Sequence, residues 1–331
     1  MGRSINLHRA KRTKNDEFYT YREDIEKELI HYKEHFKGKV VYCNCDDYSY
    51  SNFTKYFKDN FEKLGISKLV STCYNPTGKG KIEVVSKGQT NRDVLQGNGD
   101  FRSEEVVRLL KESDIVVTNP PFSLFREYIA QLMKYDKKFL VIGNMNAITY
   151  KEIFPLLKDD KMWIGYTKPK EFVQPDGSSK KIGLVTWFTN LEIQKHNDFL
   201  DLRGNYYSPE EYPKYDNYDA INVNRVKDIP CDYDGVMGVP VTFLDKYNPN
   251  QFEVLGLTTG RKEFDVLAHP TKYYKNAVQH KTDGSVSNGS KVNTRATIKI
   301  TSPVGNYYTA DNSDGFLKAV YARILICNKN I

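Results

Sequence analysis

Residues 114–122 read Asp-Ile-Val-Val-Thr-Asn-Pro-Pro-Phe. The β-branched run Ile115–Val117 lies between a polar Lys-Glu-Ser-Asp segment and two prolines, which is typical of a buried parallel strand. Each proline removes a backbone N–H and fixes φ, so the carbonyl groups here remain free to accept hydrogen bonds. The stretch therefore predicts a strand that ends in a rigid polar tip, at the edge where open α/β sheets bind ligands.

This tip can hold an amine that is conjugated to an aromatic ring. Such a nitrogen is a weak nucleophile because its lone pair is delocalised into the ring. If the Asn119 side-chain oxygen and the Pro120 carbonyl each accept one of its N–H groups, the nitrogen is drawn toward tetrahedral geometry, and Phe122 can stack on the ring. A base in a duplex would first have to leave the stack. An Asn-Pro-Pro turn that only ends a strand, with Phe122 in the core, explains these residues equally well.

Length and composition limit the class of protein. A chain of 331 residues can form one large α/β domain and a smaller one. No stretch approaches the roughly 20 apolar residues of a membrane span, and the basic N-terminus lacks an apolar segment. The five cysteines are odd in number and form no Cys-x-x-Cys pair, which favours reduced thiols over disulfides or zinc. We therefore expect a cytoplasmic protein that needs no metal and contacts no membrane.

The net charge of +7 is unevenly distributed. Residues 1–22 and 261–300 are rich in Lys and Arg, and they also contain polar and aromatic side chains that contact phosphates and bases. A polyanion is the expected partner, although a solvated lysine-rich surface explains either segment alone equally well. The candidate substrate contacts in these segments are Lys14, Arg261, Lys272, Lys275 and Arg295.

Strand and helix patterns alternate through the first two thirds of the chain. Residues 39–44, 68–73, 115–117, 138–143, 162–165 and 183–188 are predicted strands, and residues 22–36, 51–64, 103–110, 124–133 and 150–157 are predicted helices. Residues 74–99 are predicted to be a looser segment that contains several glycines. The alternation predicts an α/β fold built on a doubly wound, mostly parallel, Rossmann-like sheet. From about Asp201 the pattern fades, which predicts a loop-rich region, least regular between Gly256 and Asp314, with a strand near 319–327.

Three polar segments could form a cofactor site around the same tip. If the electrophile is a sulfonium methyl donor, the sheet must supply an adenosine pocket and a pocket for a carboxylate and an amine. Taken alone, each segment is more simply a turn or a helix cap. Taken together, on one α/β sheet, they favour a cofactor site. The candidates are Asp100 and Phe101 before the tip, Asn44, Asp46 and Asp47 after the first strand, and Phe18, Tyr19 and Thr20 before the first helix.

Long runs of the sequence resemble one enzyme family. They are residues 16–20, 41–47, 99–103, 113–128 and 147–152, followed by a later block from Tyr212 to Pro240. Over most of its length the chain resembles the EcoRI-type adenine-specific DNA methyltransferases. The resemblance implies transfer of a methyl group from S-adenosylmethionine to adenine N6 in double-stranded DNA, often by a monomer, in a bacterial or phage-encoded enzyme that usually accompanies a restriction enzyme.

The resemblance also implies a division of labour along the chain. Residues 1–22 form a basic arm with a cofactor-binding segment, residues 23–200 form the catalytic domain, and residues 201–331 recognise the target. Asn119, Pro120 and Phe122 hold the base, with Pro121 beside them, and Trp187 shapes the far wall of the base pocket. Residues 43–51 lack the glycine-rich loop that is usual after the first strand of this fold, which leaves the roles of Asp46 and Asp47 open.

Two other kinds of function remain consistent with the sequence. A similar Asn-Pro-Pro-aromatic tip could methylate RNA adenine or a protein glutamine, but a protein substrate would leave the basic segments without a role. A catalytically silent DNA-binding protein could use the same scaffold, although the intact Asn119, Pro120 and Phe122 argue against this. The DNA sequence that the chain recognises cannot be read from its residues.

Overall fold

The computed structural model describes residues 18–174, 176–259 and 269–329. Lys14 and Arg261, together with the basic arm before Phe18, lie outside these residues. Contacts divide the chain into two compact units. The first unit comprises the described residues up to Ile153 together with Lys161–Ile193, and the second comprises Phe154–Asp160 and the described residues from Gln194 onward.

An α/β fold is confirmed for the first unit, and its elements follow one another as short strands and helices. The strands are β1 (Tyr19–Thr20), β2 (Val40–Cys43), β3 (Lys68–Cys73), β4 (Lys81–Ser86), β5 (Gln89–Val94), β6 (Ile115–Thr118), β7 (Lys138–Asn144), β8 (Trp163–Ile164), β9 (Glu171–Val173), β10 (Ser179–Lys181) and β11 (Val185–Thr189). The helices are α1 (Arg22–Leu29), α2 (Asn52–Asp59), α3 (Phe61–Leu64), α4 (Glu104–Glu112) and α5 (Phe125–Lys134), with 3-10 turns at Ile30–Phe36, Phe122–Leu124 and Met145–Thr149.

The main sheet has eight strands in the order β5-β4-β3-β2-β6-β7-β11-β8. Parallel pairing joins the four central strands, β3, β2, β6 and β7, while β4, β5, β11 and β8 are added by antiparallel pairing, so the sheet is mixed and not mostly parallel as predicted. β6 is buried along its whole length, as its β-branched residues predict. It lies between β2 and β7, so the Asn-Pro-Pro tip leaves the middle of the sheet at its carboxyl edge.

Two helix starts next to the sheet are fixed by serine caps. Ser103 accepts a hydrogen bond from the Val106 N–H (3.4 Å), and Ser51 accepts from the N–H groups of Phe53 (3.1 Å) and Thr54 (3.3 Å). The α1 face and the following 3-10 turn bury Ile25, Leu29, Tyr32 and Phe36 against the sheet, in one apolar cluster with β-strand residues. This packing holds the carboxyl ends of the central strands in place.

Several sequence-based boundaries are corrected by the structure. The looser segment at 74–99 contains the β4–β5 hairpin, which hydrophobic alternation missed because β5 is polar and exposed throughout. Its partner β4 buries a charged residue, Glu83, between Lys58 (3.0 Å) and Arg92 (2.8 Å). The helix predicted at 150–157 is reduced to Phe154–Lys158, and residues 30–36 form a 3-10 turn and not α-helix.

The second unit is mainly β. Besides helix α6 (Phe154–Lys158), it contains the strands β12 (Ile221–Asn222), β13 (Met237–Pro240), β14 (Phe252–Leu257), β15 (Val278–His280), β16 (Val286–Asn288), β17 (Thr297–Ile300), β18 (Tyr307–Thr309), β19 (Phe316–Ala319) and β20 (Arg323–Asn328). They form a four-stranded sheet, β12-β13-β20-β14, and a five-stranded sheet, β16-β15-β18-β19-β17. The prediction of least regularity at 256–314 was wrong for most of this sheet, because strands of three or four residues are too short to give a clear alternation.

Candidate active site

A cleft with a cavity volume of about 200 Å³ lies at the carboxyl edge of β2, β3 and β6. It brings together residues from segments that are far apart in the sequence. All eight predicted cofactor-binding residues line it, and so do three residues of the tip: Phe18, Tyr19, Thr20, Asn44, Asp46, Asp47, Asp100, Phe101, Asn119, Pro120 and Pro121. The fold therefore places the proposed base-holding and cofactor-holding groups around one cavity.

The orientation of the Asn119 amide is fixed by strand β1. Its Nδ2 donates to the Phe18 carbonyl at 2.6 Å and lies 3.4 Å from Thr20 Oγ1, so its Oδ1 points the other way. Among the described residues, this buried Oδ1 has no hydrogen-bond partner. A buried acceptor without a partner costs about 1–3 kcal/mol, which a ligand N–H would relieve. The Pro120 carbonyl likewise accepts no hydrogen bond from a described residue.

Phe122 lies beside the cleft without lining it. Its ring centroid is 6.2 Å from that of Phe18 and 6.4 Å from that of Phe172, which it meets edge-on. Phe172 belongs to strand β9, which pairs with β1 on one side and with β10 on the other. Phe172 gave no signal in the sequence because the strands of this small sheet have two or three residues each and β1 lies far from β9 and β10 along the chain.

Asp46 links three elements that meet at the cleft. Its carboxylate accepts hydrogen bonds from Ser51 Oγ (2.6 Å) and Thr118 Oγ1 (2.5 Å), and its backbone N–H donates to the Thr72 carbonyl (2.9 Å). These contacts join the end of β2 to the cap of α2, to β6 and to β3. Burial raises the pKa of Asp46 to about 6, although the hydrogen bonds from Ser51 and Thr118 act in the opposite direction.

The raised pKa of Asp46 gives a prediction about stability and pH. The folded protein binds this proton more tightly than the unfolded chain does, so the contribution to stability is present below about pH 4 and lost as the pH rises through 6. Relative to the variant Asp46→Asn, the wild type should lose up to roughly 3 kcal/mol of unfolding free energy between pH 4 and 7. Urea unfolding at both pH values measures this loss. Glu62→Gln, which alters an exposed carboxylate of the same unit, is the control, and a constant difference between wild type and Asp46→Asn would contradict the assignment.

Asp47 is held by a residue that the sequence did not single out. Lys81 Nζ, on β4, lies 2.8 Å from Asp47 Oδ2, and the Ser49 N–H donates to Oδ1 at 2.9 Å. Burial acts to raise the pKa of Asp47, but the hydrogen bonds from Lys81 and Ser49 outweigh it and the pKa is lowered. The β4–β5 hairpin thus supplies a cation to the wall of the cleft.

Asp100 is also paired, with the neighbouring Arg102. Arg102 donates to Oδ1 and Oδ2 of Asp100 at 2.9 and 2.6 Å, and its guanidinium lies 5.3 Å from the centre of the Phe101 ring. These hydrogen bonds lower the pKa of Asp100. Arg102 Nη1 also donates to Glu127 at 3.1 Å. The spacing Asp-x-Arg was the available signal for this pair, and Arg102 lines the cleft with Asp100 and Phe101.

Asn44 presents a second buried polar atom to the cleft. Its Oδ1 accepts from the Tyr128 hydroxyl, on α5, while its Nδ2 has no partner among the described residues. Tyr128 also meets Phe101 edge-on, with ring centroids 5.3 Å apart. Among the described side chains that line the cleft, Asn119 therefore offers an unsatisfied acceptor and Asn44 an unsatisfied donor.

The remaining predicted contacts lie elsewhere. Trp187 is fully buried, where its ring packs edge-on to Phe53 and its indole N–H donates to Thr167 at 3.0 Å, so it does not line the cleft. Lys272, Lys275 and Arg295 belong to the second unit. No group of three or more His, Cys, Asp or Glu residues that could hold a metal ion occurs in the described part of the chain. In the same part, none of the helices is long and apolar enough to cross a membrane.

Comparison with known proteins identifies the family. The sequence profile of the family described as adenine-specific methyltransferase EcoRI matches residues 6–329. The chain belongs to this family. It is 49% identical to the Type II methyltransferase M.EcoRI of Escherichia coli, over 78% of this chain and 91% of that protein. It is 42% identical to the Type II methyltransferase M.MpnI of Mycoplasma pneumoniae, over 80% and 86% of the two chains.

Membership of the EcoRI methyltransferase family establishes the activity. The chain is a site-specific DNA adenine methyltransferase, as the resemblance predicted. A protein or RNA substrate and a silent DNA-binding scaffold were the alternatives, and the family assignment favours neither. Among solved structures, YeaZ from Pseudomonas aeruginosa matches with 11% identity over 38% of this chain and 68% of that one, at a TM-score of 0.17, which is too low to indicate a common fold.

Proposed function

We propose that the enzyme transfers a methyl group from S-adenosylmethionine to N6 of an adenine that has been flipped out of duplex DNA. The buried Asn119 Oδ1 carries the proposal, because it is an acceptor at the tip of the strand that receives no hydrogen bond from any described residue. The Pro120 carbonyl offers the second acceptor. When the two accept the amine N–H groups, the nitrogen lone pair turns toward the methyl donor, and the proton leaves to water after transfer.

The residues around the cleft fit the cofactor. S-adenosylmethionine supplies an activated, positively charged sulfonium methyl group, so no general base with a shifted pKa is required. Asn44 Nδ2 is a buried donor suited to a carboxylate or hydroxyl oxygen of the cofactor. Asp46 and Asp47 provide negative charge near the amine and sulfonium, and Phe101 provides an apolar ring for the adenine. Asp100, already held by Arg102, can accept from the adenine amine through its remaining lone pairs.

In this proposal the first unit is a Rossmann-like, doubly wound catalytic domain, and its helices cover both faces of the parallel strands. The proposed domain spans residues 23–200, of which Phe154–Asp160 and residues 194–200 belong to the second unit, and it is preceded by the basic arm and cofactor segment at 1–22. Residues 201–331 recognise the target as the DNA-binding region. The enzyme acts as a monomer, either beside a restriction enzyme or as a solitary or phage methylase.

The charge of the second unit supports its role in DNA binding. Residues 269–329 contain nine Lys or Arg but only three Asp and no Glu. Some of these cations are already engaged in the structure: Lys272 Nζ lies 2.9 Å from Asp216, and the Arg295 guanidinium lies 5.7 Å from the centre of the exposed Tyr321 ring. The side chain of Lys275 is exposed. This surface is suited to the phosphate backbone, which dominates the affinity of DNA-binding proteins.

Replacing Lys275 with Gln should weaken binding to all DNA sequences and lower the slope of log Kd against log salt by roughly one phosphate contact. Binding titrations at several salt concentrations measure this slope. Lys246→Gln removes an exposed lysine of the same unit outside residues 269–329 and should leave the slope unchanged. Equal slopes for Lys275→Gln and wild type would show that Lys275 does not contact the DNA phosphates.

The function as a whole is tested in cells. DNA from a host that expresses the chain should contain methylated adenine at one recurring sequence, detected by sequencing that reports modified bases. In vitro, tritium should pass from labelled S-adenosylmethionine to duplex DNA carrying that sequence. Absence of any methylated adenine in both experiments would refute the proposal, and the recurring sequence would give the recognition site that the residues alone do not reveal.

A further inference from the structure

A segment beside the catalytic tip has no role in the mechanism above. It runs from β10 through the turn into β11 and reads Ser-Lys-Lys-Ile-Gly-Leu, and we term residues 179–184 the entry segment. Its first half touches the base-holding machinery directly. Lys180 Nζ lies 4.8 Å from the centre of the Phe18 ring, and the Phe18 carbonyl holds the Asn119 amide.

Leu184, at the end of the entry segment, combines two uncommon properties. Its side chain is 58% exposed, although leucine is strongly apolar. Its backbone has φ +60°, a left-handed conformation that leucine rarely adopts. The Leu184 carbonyl accepts a hydrogen bond from the Met145 N–H at 2.6 Å, which helps to hold the turn in this conformation. Strain of this kind persists where the surrounding structure fixes it, and it is concentrated at functional sites.

The strand register places Leu184 on the same edge of the sheet as the tip. Val185, the next residue, pairs with Asn144 at the carboxyl end of β7. β7 in turn runs parallel to β6, with Val141 opposite Thr118. Leu184 therefore lies two strands from the Asn119 tip, about 10 Å across the sheet edge at the usual strand spacing.

The charges around the entry segment favour a polyanion. Lys170, Lys180 and Lys181 are exposed on or next to the three-stranded sheet. Among the described residues, the carboxylates within the β9–β10 hairpin are Glu171 and Asp176, and Asp176 accepts hydrogen bonds from the Ser178 N–H (2.9 Å) and hydroxyl (2.6 Å). The exposed lysines thus outnumber these two carboxylates, and an exposed apolar side chain lies at one end of the segment. Duplex DNA has matching chemistry, namely phosphates outside and stacked bases inside.

We propose that the entry segment opens the DNA duplex at the target adenine. Leu184 inserts into the base stack in the space that the flipped adenine leaves, and Lys180 and Lys181 bind the phosphates beside it. Extruding a base breaks its stacking and pairing, and apolar side chains inserted between base steps compensate for this in other DNA-bending proteins. The proposal rests on the proposed function, since it takes the substrate to be a base flipped into the cleft at Asn119.

Leu184→Gly tests the wedge without weakening the fold. Glycine adopts the left-handed conformation without strain, so the variant should melt at the same temperature as the wild type or higher. With 2-aminopurine at the target position, it should show roughly 10-fold less of the fluorescence increase that reports unstacking, and a similar loss of turnover on duplex DNA. Leu184→Met should retain both. Ile30→Ala, which truncates another exposed apolar residue (54% exposed) away from this edge, should behave as wild type.

A substrate with the target adenine opposite an abasic site separates wedge action from a general structural effect. Loss of the pairing partner makes the adenine easier to extrude. Leu184→Gly should therefore recover most of its turnover on this substrate. Equal activity of Leu184→Gly and wild type on the paired duplex would overturn the proposal, and so would an equal loss on both substrates. If the wild type itself methylates neither substrate, the result refutes the proposed function. That outcome is distinct from the two outcomes that refute the wedge role of Leu184.

The role of the two lysines is tested by measuring DNA binding. Turnover is not used, because Lys180 contacts Phe18, whose carbonyl holds the Asn119 amide. The double variant Lys180→Gln/Lys181→Gln should lower the slope of log Kd against log salt by about two phosphate contacts. The control Lys37→Gln/Lys63→Gln removes the same charge just before β2 and β3, at the opposite edge of the sheet, and should leave the slope unchanged. If the two double variants give the same slope, the proposal is overturned.

Discussion

Asn119→Ala should lower the turnover number for DNA methylation by roughly 100- to 1,000-fold while leaving the affinity for S-adenosylmethionine almost unchanged. The loss is large because the Asn119 Oδ1 is aimed at the amine before the substrate arrives: Nδ2 is held by the Phe18 carbonyl at 2.6 Å. Alanine removes both the acceptor and its orientation. Single-turnover kinetics with saturating cofactor measure the chemical step, and calorimetry measures cofactor binding.

Asn119→Asp is the matched control for the acceptor. It keeps an oxygen toward the amine but places a second carboxylate oxygen where the amide N–H donates to Phe18. Because two oxygens repel each other there, the variant should have activity between the wild type and Asn119→Ala. Near-wild-type turnover of Asn119→Ala would refute the amine-polarising mechanism. Equal and severe defects in both variants would show that the donor to Phe18 matters more than the acceptor.

Gly99→Ala should unfold or distort the wall of the cleft, at a cost of more than about 3 kcal/mol in unfolding free energy. Gly99 has φ +81°, and a Cβ at this position would overlap the carbonyl oxygen of Cys73 at the end of β3. Asp100 and Phe101 follow immediately, so any shift that relieves the overlap moves both away from the cleft. Cofactor affinity should fall together with stability.

Gly88→Ala separates the strain of a positive φ from the overlap of the new Cβ with a neighbouring group, the two causes of the destabilisation expected for Gly99→Ala. Gly88, in the turn between β4 and β5, has a similar φ of +78° but open space around its hydrogen atoms. Its replacement should therefore cost only the conformational strain, about 1–2 kcal/mol, and leave cofactor binding intact. Denaturant unfolding and cofactor titration of both variants give the comparison. Equal costs for the two glycines would mean that crowding by Cys73 has no consequence.

The sequence predicted those parts of the site that depend on local pattern. Ile115–Thr118 is β-branched and buried, so β6 and the tip after it were recognisable. The residues that pair with the acidic side chains of the cleft were harder to predict. Lys81 reaches Asp47 only because an unpredicted polar hairpin folds back along β3, and no local pattern reports that pairing.

Long-range contacts explain the other differences. Trp187 was expected near the base, but the antiparallel pairing of β11 with β7 and β8 turns it into the core, where it is fully buried. Phe172 was not considered, although its ring lies beside those of Phe18 and Phe122. Both outcomes depend on which strands become neighbours. That choice is made by the packing of the whole unit and not by any segment alone.

The pairing of β1 with β9 has a consequence for the order in which the enzyme becomes active during synthesis. Thr20 pairs with Phe172, about 150 residues later in the chain. At ribosomal rates of roughly 5–20 residues per second, the segment that orients Asn119 waits about 8–30 s for its partner strand. The first described residues to leave the ribosome are thus among the last to be fixed, and a nascent chain that already displays the Asn-Pro-Pro tip still lacks an oriented amide.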